Sequence, residues 1–179
     1  DERTAGELSD MSDLQDLGPG VRVVCGQPFP DPSGFALTVP SPGIPPARYR
    51  PFAQRVWGDI ELASRALSIP IIAVTGTNGK STTVRLIESM LTAAGLRAEA
   101  AGNVGTPALS LPGKPLDVAV LEVSSFQLET IDSFRPKVAV ILNIPPDHLD
   151  RHGNLEGYAR AKSRIFENQQ AGDVAVLDF

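Results

Sequence analysis

The sequence has one cysteine, few aromatic residues and no surplus of positive charge, and each shortage excludes a class of protein. Aromatic residues make up 6% of the 179 positions, and the formal net charge is −5. A protein that binds a nucleic-acid backbone needs clustered cations to replace counterions, so nucleic acid is not an expected partner. Cys25 has no second cysteine with which to form an internal disulfide, which favours a reducing compartment such as the cytoplasm.

Long hydrophobic runs are also missing. No apolar stretch approaches the roughly 20 residues that span a bilayer, and the opening Asp1-Glu2-Arg3 is unlike a secretory signal. We therefore expect a globular cytoplasmic protein without a membrane span. Because the sequence has no initiator methionine and stops within an apparent strand at residues 174–177, it is interpreted as a fragment with pieces of two domains.

What the sequence does contain is the pattern of a phosphate-binding loop. A short apolar strand at residues 70–75 leads into a glycine-rich turn closed by Gly79, Lys80 and Ser81. Such glycines let backbone N–H groups face an anion, the lysine reaches the outer phosphates, and the next hydroxyl holds Mg²⁺. The predicted phosphate-binding segment consists of Gly76, Thr77, Asn78, Gly79, Lys80, Ser81 and Thr82.

The loop departs from the general pattern at one position. Val74 stands where the first glycine of the usual loop lies, so the pattern indicates a tighter variant built on Gly76 and Gly79. A plain strand-to-helix turn is the alternative. It is disfavoured because a lysine and a small hydroxyl both follow the glycine in a strand–turn–helix context.

The composition changes once along the chain. The first 51 residues are rich in proline and contain two apolar strand candidates, at residues 21–25 and 35–39. A helix is predicted at residues 59–67, and beyond it strands and helices alternate. The predicted strands are residues 71–75, 96–101, 118–123, 138–144 and 174–177, and the predicted helices are residues 80–94 and 155–168. This alternation predicts an α/β fold with a mostly parallel sheet.

Polar side chains follow the ends of several predicted strands. Because the carboxyl ends of parallel strands meet at one edge of a sheet, we expect these side chains to gather near the phosphate loop. Singly, Glu122 could pair on the surface, His148 could cap a helix, and Asn103 could form a turn. Beside a phosphate loop, oxygen ligands for Mg²⁺ are the favoured interpretation. The residues at this edge include Asn103, Glu122, Ser124, Gln127 and His148.

Lys162 is an unexpected cation on an apolar stripe. In the predicted helix, Leu155, Tyr158 and Ile165 lie seven, four and three positions away, which places Lys162 on the inward face. Two interpretations remain open. The side chain extends its ammonium to water, or it enters the site with a lowered pKa that makes its amine reactive.

Several motifs together resemble the Mur ligases of peptidoglycan synthesis. They are VTGTNGKST at residues 74–82, GNVG at 102–105, LEVSSFQLE at 121–129, LNIPPDHLDRHG at 142–153 and YARAKSRIF at 158–166. The phosphate loop is shared with folylpolyglutamate synthetases, so it does not select a member. SSFQLE, with SPGI at 41–44 and GDIEL at 58–62, resembles the members that add D-glutamate.

The resemblance implies an ATP-dependent ligase that joins D-glutamate to UDP-N-acetylmuramoyl-L-alanine through an acyl phosphate, acting as a monomer. It implies a partial Rossmann-like UDP-sugar domain at residues 1–58, a connecting helix and linker at 59–69, and an incomplete ATP-binding domain at 70–179, without the C-terminal domain. Two alternatives remain: another Mur or folylpolyglutamate-type ligase, and a nucleotide-binding module that has no ligase activity as an isolated chain.

The resemblance also implies a role for each site residue. ATP would occupy the predicted loop, and Lys80, His148 and Lys162 would be catalytic. One Mg²⁺ would be held by Ser81 and Glu122, and a second by His148 and a carbamylated Lys162. The positions that match substrate contacts are Ser41, Gly43, Asn103, Ser124 and Gln127.

Overall fold

A five-stranded parallel sheet forms the centre of the protein. The computed structural model describes residues 20–22, 24 and 31–177. The strands are β1 (Ile71–Thr75), β2 (Ala98–Gly102), β3 (Val118–Glu122), β4 (Val138–Ile141) and β5 (Val174–Leu177). Their order across the sheet is β2-β3-β1-β4-β5, and every pair is parallel. The predicted α/β class with a parallel sheet is confirmed, and strand order reverses at β1, where such sheets bind ligands.

Helices connect the strands and cover both faces of the sheet. They are α1 (Asp59–Ala66), α2 (Lys80–Ala93), α3 (Ser125–Leu128), α4 (Leu149–His152) and α5 (Leu155–Ser163). Short 3₁₀ turns occur at Pro32–Gly34, Pro46–Arg48, Ala108–Ser110 and Arg164–Phe166. Within the described parts of the chain, no helix has both the length and the apolar character needed to cross a bilayer.

The core has two halves, one on each face of the sheet. On one face, Val84 of α2 packs against β-strand residues that include Val74 and Val120. On the other, Ile60 of α1 and Ile165 join a larger cluster under the sheet. Adjacent residues of β1 point to opposite faces, and both faces are covered, so the strand is apolar without alternation.

Some of the apolar residues that recur at helical spacing are exposed. In α2, Leu86 and Met90 are exposed, so the packed stripe consists of Val84, Ile87 and Leu91. Leu155, which was predicted to lie on the inward stripe of α5, is also exposed. It is the first residue of that helix. The apolar spacing therefore predicted the helices correctly but overestimated the width of their buried faces.

Three predicted elements differ from the observed ones by two residues or more at one end. The strand predicted at residues 138–144 ends at Ile141, and beyond it Asn143 contacts the phosphate loop through its backbone carbonyl and its side chain. The helix predicted at residues 155–168 is α-helical only to Ser163 and then tightens into a 3₁₀ turn. The strand predicted at residues 96–101 begins at Ala98 and ends at Gly102.

The strand prediction at residues 35–39 was wrong. Thr38 forms only an isolated parallel bridge with Val56, and the flanking Phe35 and Val39 are exposed. A single bridge results because Pro40 lacks the N–H that would continue a ladder. The strand predicted at residues 21–25 includes positions 23 and 25, which lie outside the described residues, so it stays a prediction.

Glu61 ties α1 to the segment that precedes β4. Its fully buried carboxylate accepts hydrogen bonds from the backbone N–H groups of Asp132, Ser133 and Phe134, from the Ser133 hydroxyl, and from Arg65 at 2.6 Å. Burial alone would raise the pKa of Glu61. The hydrogen bonds from Asp132, Ser133 and Arg65 outweigh it, so the pKa lies below its usual value of 4.5.

We expect Glu61→Gln to lower the free energy of unfolding by about 2–3 kcal/mol at pH 7, because an amide cannot accept all of these hydrogen bonds. Folding lowers the pKa of this carboxyl, so its ionised form stabilises the folded protein at pH values above the pKa in the unfolded chain. That stabilisation is lost as the pH falls through the pKa in the folded protein. The difference in free energy of unfolding between wild type and variant should therefore shrink below about pH 4.5. Urea unfolding at pH 3 to 7 measures this difference, and the control is Glu156→Gln, because Glu156 is exposed.

Candidate active site

The phosphate loop joins β1 to α2 at the centre of the sheet. Gly79 precedes the first residue of α2 with φ of 84°, a left-handed conformation that favours glycine. The first N–H groups of a helix have no partner within the helix and attract anions. The loop therefore presents the start of α2 to the carboxyl edge of the sheet, as the sequence predicted.

Asn143 organises this loop; its place after a predicted strand put it at the expected edge, but no role was predicted for it. Its Oδ1 accepts hydrogen bonds from the N–H groups of Thr77 at 3.1 Å and Asn78 at 2.9 Å, and its Nδ2 donates to the Asn78 carbonyl at 3.0 Å. The N–H groups of Thr77 and Asn78 are thus occupied, which leaves the N-terminal amides of α2 to bind an anion. The sequence signal for Asn143 was its position just after β4.

Two lysines converge on one carbonyl of the loop. Lys80 Nζ donates to the Gly76 carbonyl at 3.0 Å and to the Thr77 carbonyl at 2.9 Å. Lys162 Nζ donates to the same Gly76 carbonyl at 2.8 Å. Two ammonium groups that share an acceptor repel each other. The site is therefore prepared for an anion that would offset both charges.

The structure decides between the two interpretations of Lys162. The residue is 1% exposed, and its Nζ lies 4.5 Å from the centroid of the Tyr158 ring. Burial, followed by the positive charge of Lys80, lowers the pKa of Lys162 to about 8 against the opposing effect of Asp147. Lys162 therefore enters the site instead of extending to water, and at pH 7 about a tenth of its amine is neutral.

Ser81 and Glu122 lie together beside the loop. Ser81 Oγ donates to Glu122 Oε2 at 2.7 Å, while Asn103 Nδ2 donates to Oε1 at 3.1 Å. Gly102 brings β2 against β3 here: its φ is 119°, and a Cβ would overlap the Glu122 carbonyl oxygen. A hydroxyl and a carboxylate next to a phosphate loop form an oxygen donor set that fits one Mg²⁺.

His148 follows β4 and has a strained backbone conformation. Its φ is 49°, and it is the one non-glycine residue with positive φ in the described parts of the chain. Its ring lies 5.0 Å from that of Phe126, and its Nε2 lies 3.5 Å from Asp147 Oδ2. As an ammonium, Lys162 has no lone pair to offer a metal, and no cluster of three or more acidic, histidine or cysteine side chains suited to a metal occurs among the described residues. The predicted second metal site thus requires chemical modification of Lys162.

A cavity of about 360 Å³ collects most of the predicted site. Its wall includes parts of the proline-rich segment, the phosphate loop and the residues that follow β2, β3 and β4. Among the predicted residues, those lining it are Ser41, Gly43, Gly76, Thr77, Lys80, Asn103, Ser124, His148 and Lys162. The lining also includes Tyr158, whose hydroxyl lies 3.1 Å from Thr77 Oγ1 and which was not predicted as a site residue.

Gln127 is the predicted substrate contact that does not line the cavity. Its side chain is buried. Its Nε2 donates to Asp59 Oδ2 at 2.7 Å, and its Oε1 accepts from the Ser124 N–H at 3.0 Å. Contact between Gln127 and a substrate stays a prediction, and its observed contacts are within the protein.

Arg151 connects the proline-rich segment to the site by hydrogen bonds. Its guanidinium donates to the carbonyls of Pro42 and Ile44 at 3.4 and 3.3 Å, and it pairs with Glu129 at 2.6 Å. It also lies over the Phe126 ring, 4.6 Å from the centroid. This arginine accounts for the placement of Ser41 and Gly43 at the cavity, although the two segments are far apart in sequence.

Fold and site together define an α/β protein with a phosphate-binding loop at the switch point of a parallel sheet. Residues 74–179 match the family described as the Mur ligase middle domain, and the chain belongs to the Mur ligase family. The resemblance identified from the motifs is confirmed.

Similar proteins from several bacteria carry the name UDP-N-acetylmuramoylalanine–D-glutamate ligase. That of Trichlorobacter lovleyi is 48% identical over 151 residues, covering 79% of this chain and 33% of that protein. That of Pelotomaculum thermopropionicum is 46% identical over 184 residues, covering 97% of this chain and 39% of that protein. The chain therefore spans little more than a third of the length of these relatives.

Solved structures share the fold. MurF from Acinetobacter baumannii aligns with a TM-score of 0.51 at 26% identity, over 64% of this chain and 27% of that one. Folylpolyglutamate synthase from Mycobacterium tuberculosis, complexed with ADP and AMPPCP, aligns with a TM-score of 0.52 at 22% identity, over 66% of this chain and 39% of that one. The second similarity concerns the fold alone.

Proposed function

We propose that this chain is part of an ATP-dependent ligase that joins D-glutamate to UDP-N-acetylmuramoyl-L-alanine in peptidoglycan synthesis. The observation that carries the proposal is the convergence of Lys80, Lys162 and the residues 41–43 on one cavity beside the phosphate loop. Such a cavity suits a reaction between a nucleotide phosphate and a second anionic substrate. Support for this substrate pair comes from the names of relatives that are 46% and 48% identical.

In the proposed reaction, a substrate carboxylate oxygen attacks the γ-phosphorus of ATP, and ADP leaves. The amine of D-glutamate then attacks the acyl carbon, loses a proton and expels phosphate as the amide forms. Lys80 and the N-terminus of α2 would stabilise the charge on the transferring group, since phosphoryl transfer depends mainly on positioning and charge neutralisation. Ser81 and Glu122 would hold one Mg²⁺, which supplies further charge neutralisation when bound.

Lys162 would carry a carbamate. The neutral amine attacks CO₂ and loses a proton, so a cation becomes an anion with oxygen ligands. This change would replace the repulsion between Lys162 and Lys80 with attraction. It would also supply, with His148, oxygen and nitrogen ligands for a second Mg²⁺. The lowered pKa supports the proposal because only the neutral amine reacts.

The proposal extends to domain organisation. Residues 1–58 would belong to the UDP-sugar domain, residues 59–69 would connect, and residues 70–179 would belong to the ATP-binding domain. A single cysteine and nucleotide substrates are in keeping with the cytoplasm, and we propose that the protein works there as a monomer.

The test is ligation by the full-length protein. With ATP, Mg²⁺ and UDP-N-acetylmuramoyl-L-alanine, we expect D-glutamate to be consumed with release of ADP and phosphate, and mass spectrometry should show the amide product. L-glutamate, L-alanine and meso-diaminopimelate should give little product. Equal turnover of these amino acids, or of a folate substrate, would contradict the proposed substrate. Nucleotide binding without any turnover would contradict the proposed activity.

A further inference from the structure

A chain of hydrogen bonds connects α1 to the cavity. It begins at Asp59, the first residue of α1, whose Oδ2 accepts from Gln127 Nε2 at 2.7 Å. Gln127 Oε1 accepts from the Ser124 N–H at 3.0 Å, and Ser124 Oγ accepts from the Gln127 N–H at 3.2 Å. Ser124 lines the cavity, whereas Asp59 and Gln127 do not. The hydrogen bonds therefore connect Asp59, which lies outside the cavity, to Ser124 in the cavity wall.

The carboxylate of Asp59 fixes the orientation of the Gln127 amide. An ionised carboxylate only accepts hydrogen bonds, so it requires the NH₂ end of the amide to face it. The amide oxygen is then directed to the Ser124 N–H. A reversed amide would place oxygen against carboxylate and N–H against N–H. Because Gln127 is 3% exposed, water cannot compensate for such a mismatch.

This arrangement determines what Ser124 offers to the cavity. Its Oγ already accepts the Gln127 N–H at the start of α3, in a reciprocal capping box. The hydroxyl proton remains available as a donor toward an oxygen atom in the cavity. If the Gln127 amide turned, the bond from the Ser124 N–H to its oxygen would be lost. The Ser124 hydroxyl would then be held only by its bond from the Gln127 backbone N–H, and its position would be less well fixed.

We infer that Asp59 is a positioning residue for the sugar-nucleotide substrate, acting through Gln127 on Ser124. The inference rests on the proposed function, which supplies an oxygen-rich substrate for this wall of the cavity. It gives Gln127 a role within the protein in place of the direct substrate contact expected from the resemblance. It also connects two of the motifs, since Asp59 of GDIEL contacts Gln127 of SSFQLE.

An exchange of chemical groups tests the inference in the full-length protein. Gln127→Glu places two carboxylates against each other, which disfavours the charged pair. Asp59→Asn on that background restores a donor and an acceptor with the direction reversed: the Asn amide donates to the new carboxylate, whose other oxygen accepts from Ser124. Asp59→Asn alone can still present its amide oxygen to Gln127.

We expect Gln127→Glu to raise the KM for UDP-N-acetylmuramoyl-L-alanine by about tenfold or more, with the KM for ATP changed less than about twofold. In the double variant, the KM for UDP-N-acetylmuramoyl-L-alanine should return to within about threefold of wild type. In Asp59→Asn alone, this KM should also stay within about threefold of wild type. Melting temperatures of all variants are measured in parallel. Rescue by the double variant is specific to positioning, because a Gln127 that contacts substrate directly would not be restored by a change at Asp59.

The inference is overturned if the double variant melts like wild type but keeps the high KM of Gln127→Glu. If the double variant does not fold, Asp59→Ala decides: an unchanged KM for the sugar nucleotide in a folded protein overturns the inference, and a raised one supports it. Failure of the proposed function looks different, since wild type itself would then form no D-glutamate product.

Discussion

Lys80→Ala in the full-length protein is expected to slow ATP-dependent phosphoryl transfer by about 100-fold or more. The Lys80 ammonium lies within the loop, where it donates to the Gly76 and Thr77 carbonyls at 3.0 and 2.9 Å. An incoming phosphate would meet this charge together with the N-terminus of α2. Removal of one such group from a transferring phosphoryl group costs about 3 kcal/mol, or about 100-fold in rate. ADP release at saturating substrate concentrations measures the loss.

A matched control removes the same charge from the surface. Lys114 is exposed and forms an ion pair with Glu99 at 2.7 Å, so Lys114→Ala should leave ADP release within about twofold of wild type. Melting temperatures of both variants exclude a loss of fold as the cause. ADP release near the wild-type rate by a folded Lys80→Ala variant would contradict the assignment of Lys80.

The central fold could be predicted because it depends on local patterns. Strands such as β3 and β4 are short apolar runs rich in β-branched residues, and the helices between them have apolar residues at helical spacing. Strand order depends on pairing between distant segments: β1 pairs with β3 and β4, and no local pattern specifies this. Exposed residues such as Leu86 show the same limit, because burial depends on what covers a helix.

The site was predictable to the extent that its residues follow strand ends or belong to a motif. The phosphate loop, Glu122, His148 and Lys162 have such signals. Asn143 and Arg151 act on backbone groups more than 60 residues away, Asn143 on Asn78 and Arg151 on the carbonyl of Pro42. The link from Asp59 to Gln127 has the same character, since it joins positions 68 residues apart. Such contacts are visible only once the chain is folded.

Lys162 connects sequence pattern, burial and chemistry most directly. Helical spacing placed it on the inward stripe, and the structure buries it with its amine on the Gly76 carbonyl at 2.8 Å. Its pKa of about 8 means that an unmodified ammonium still predominates at pH 7. Next to Lys80 and a bound Mg²⁺, this charge would be strongly unfavourable, and a carbamate would be favourable.

We therefore expect Lys162→Ala in the full-length protein to be nearly inactive and to regain part of its activity in acetate, which supplies a small carboxylate to the vacated space. A second measurement does not depend on activity. With ¹³C-labelled bicarbonate, wild type should show a carbamate carbon signal by NMR that is absent from Lys162→Ala. The signal should grow as pH rises through about 8, because the neutral amine is the reacting species.

Arg160→Ala is the matched control, since Arg160 lies on the exposed face of the same helix and should affect neither the signal nor the rate by more than about twofold. Arg164 is a poorer control, because its guanidinium donates to the Leu128 and Ile131 carbonyls and its loss should lower stability. A fully active wild type without a carbamate signal, together with a Lys162→Ala variant that does not respond to acetate, would refute the role of Lys162. The inward lysine would then act through its positive charge on the phosphate loop.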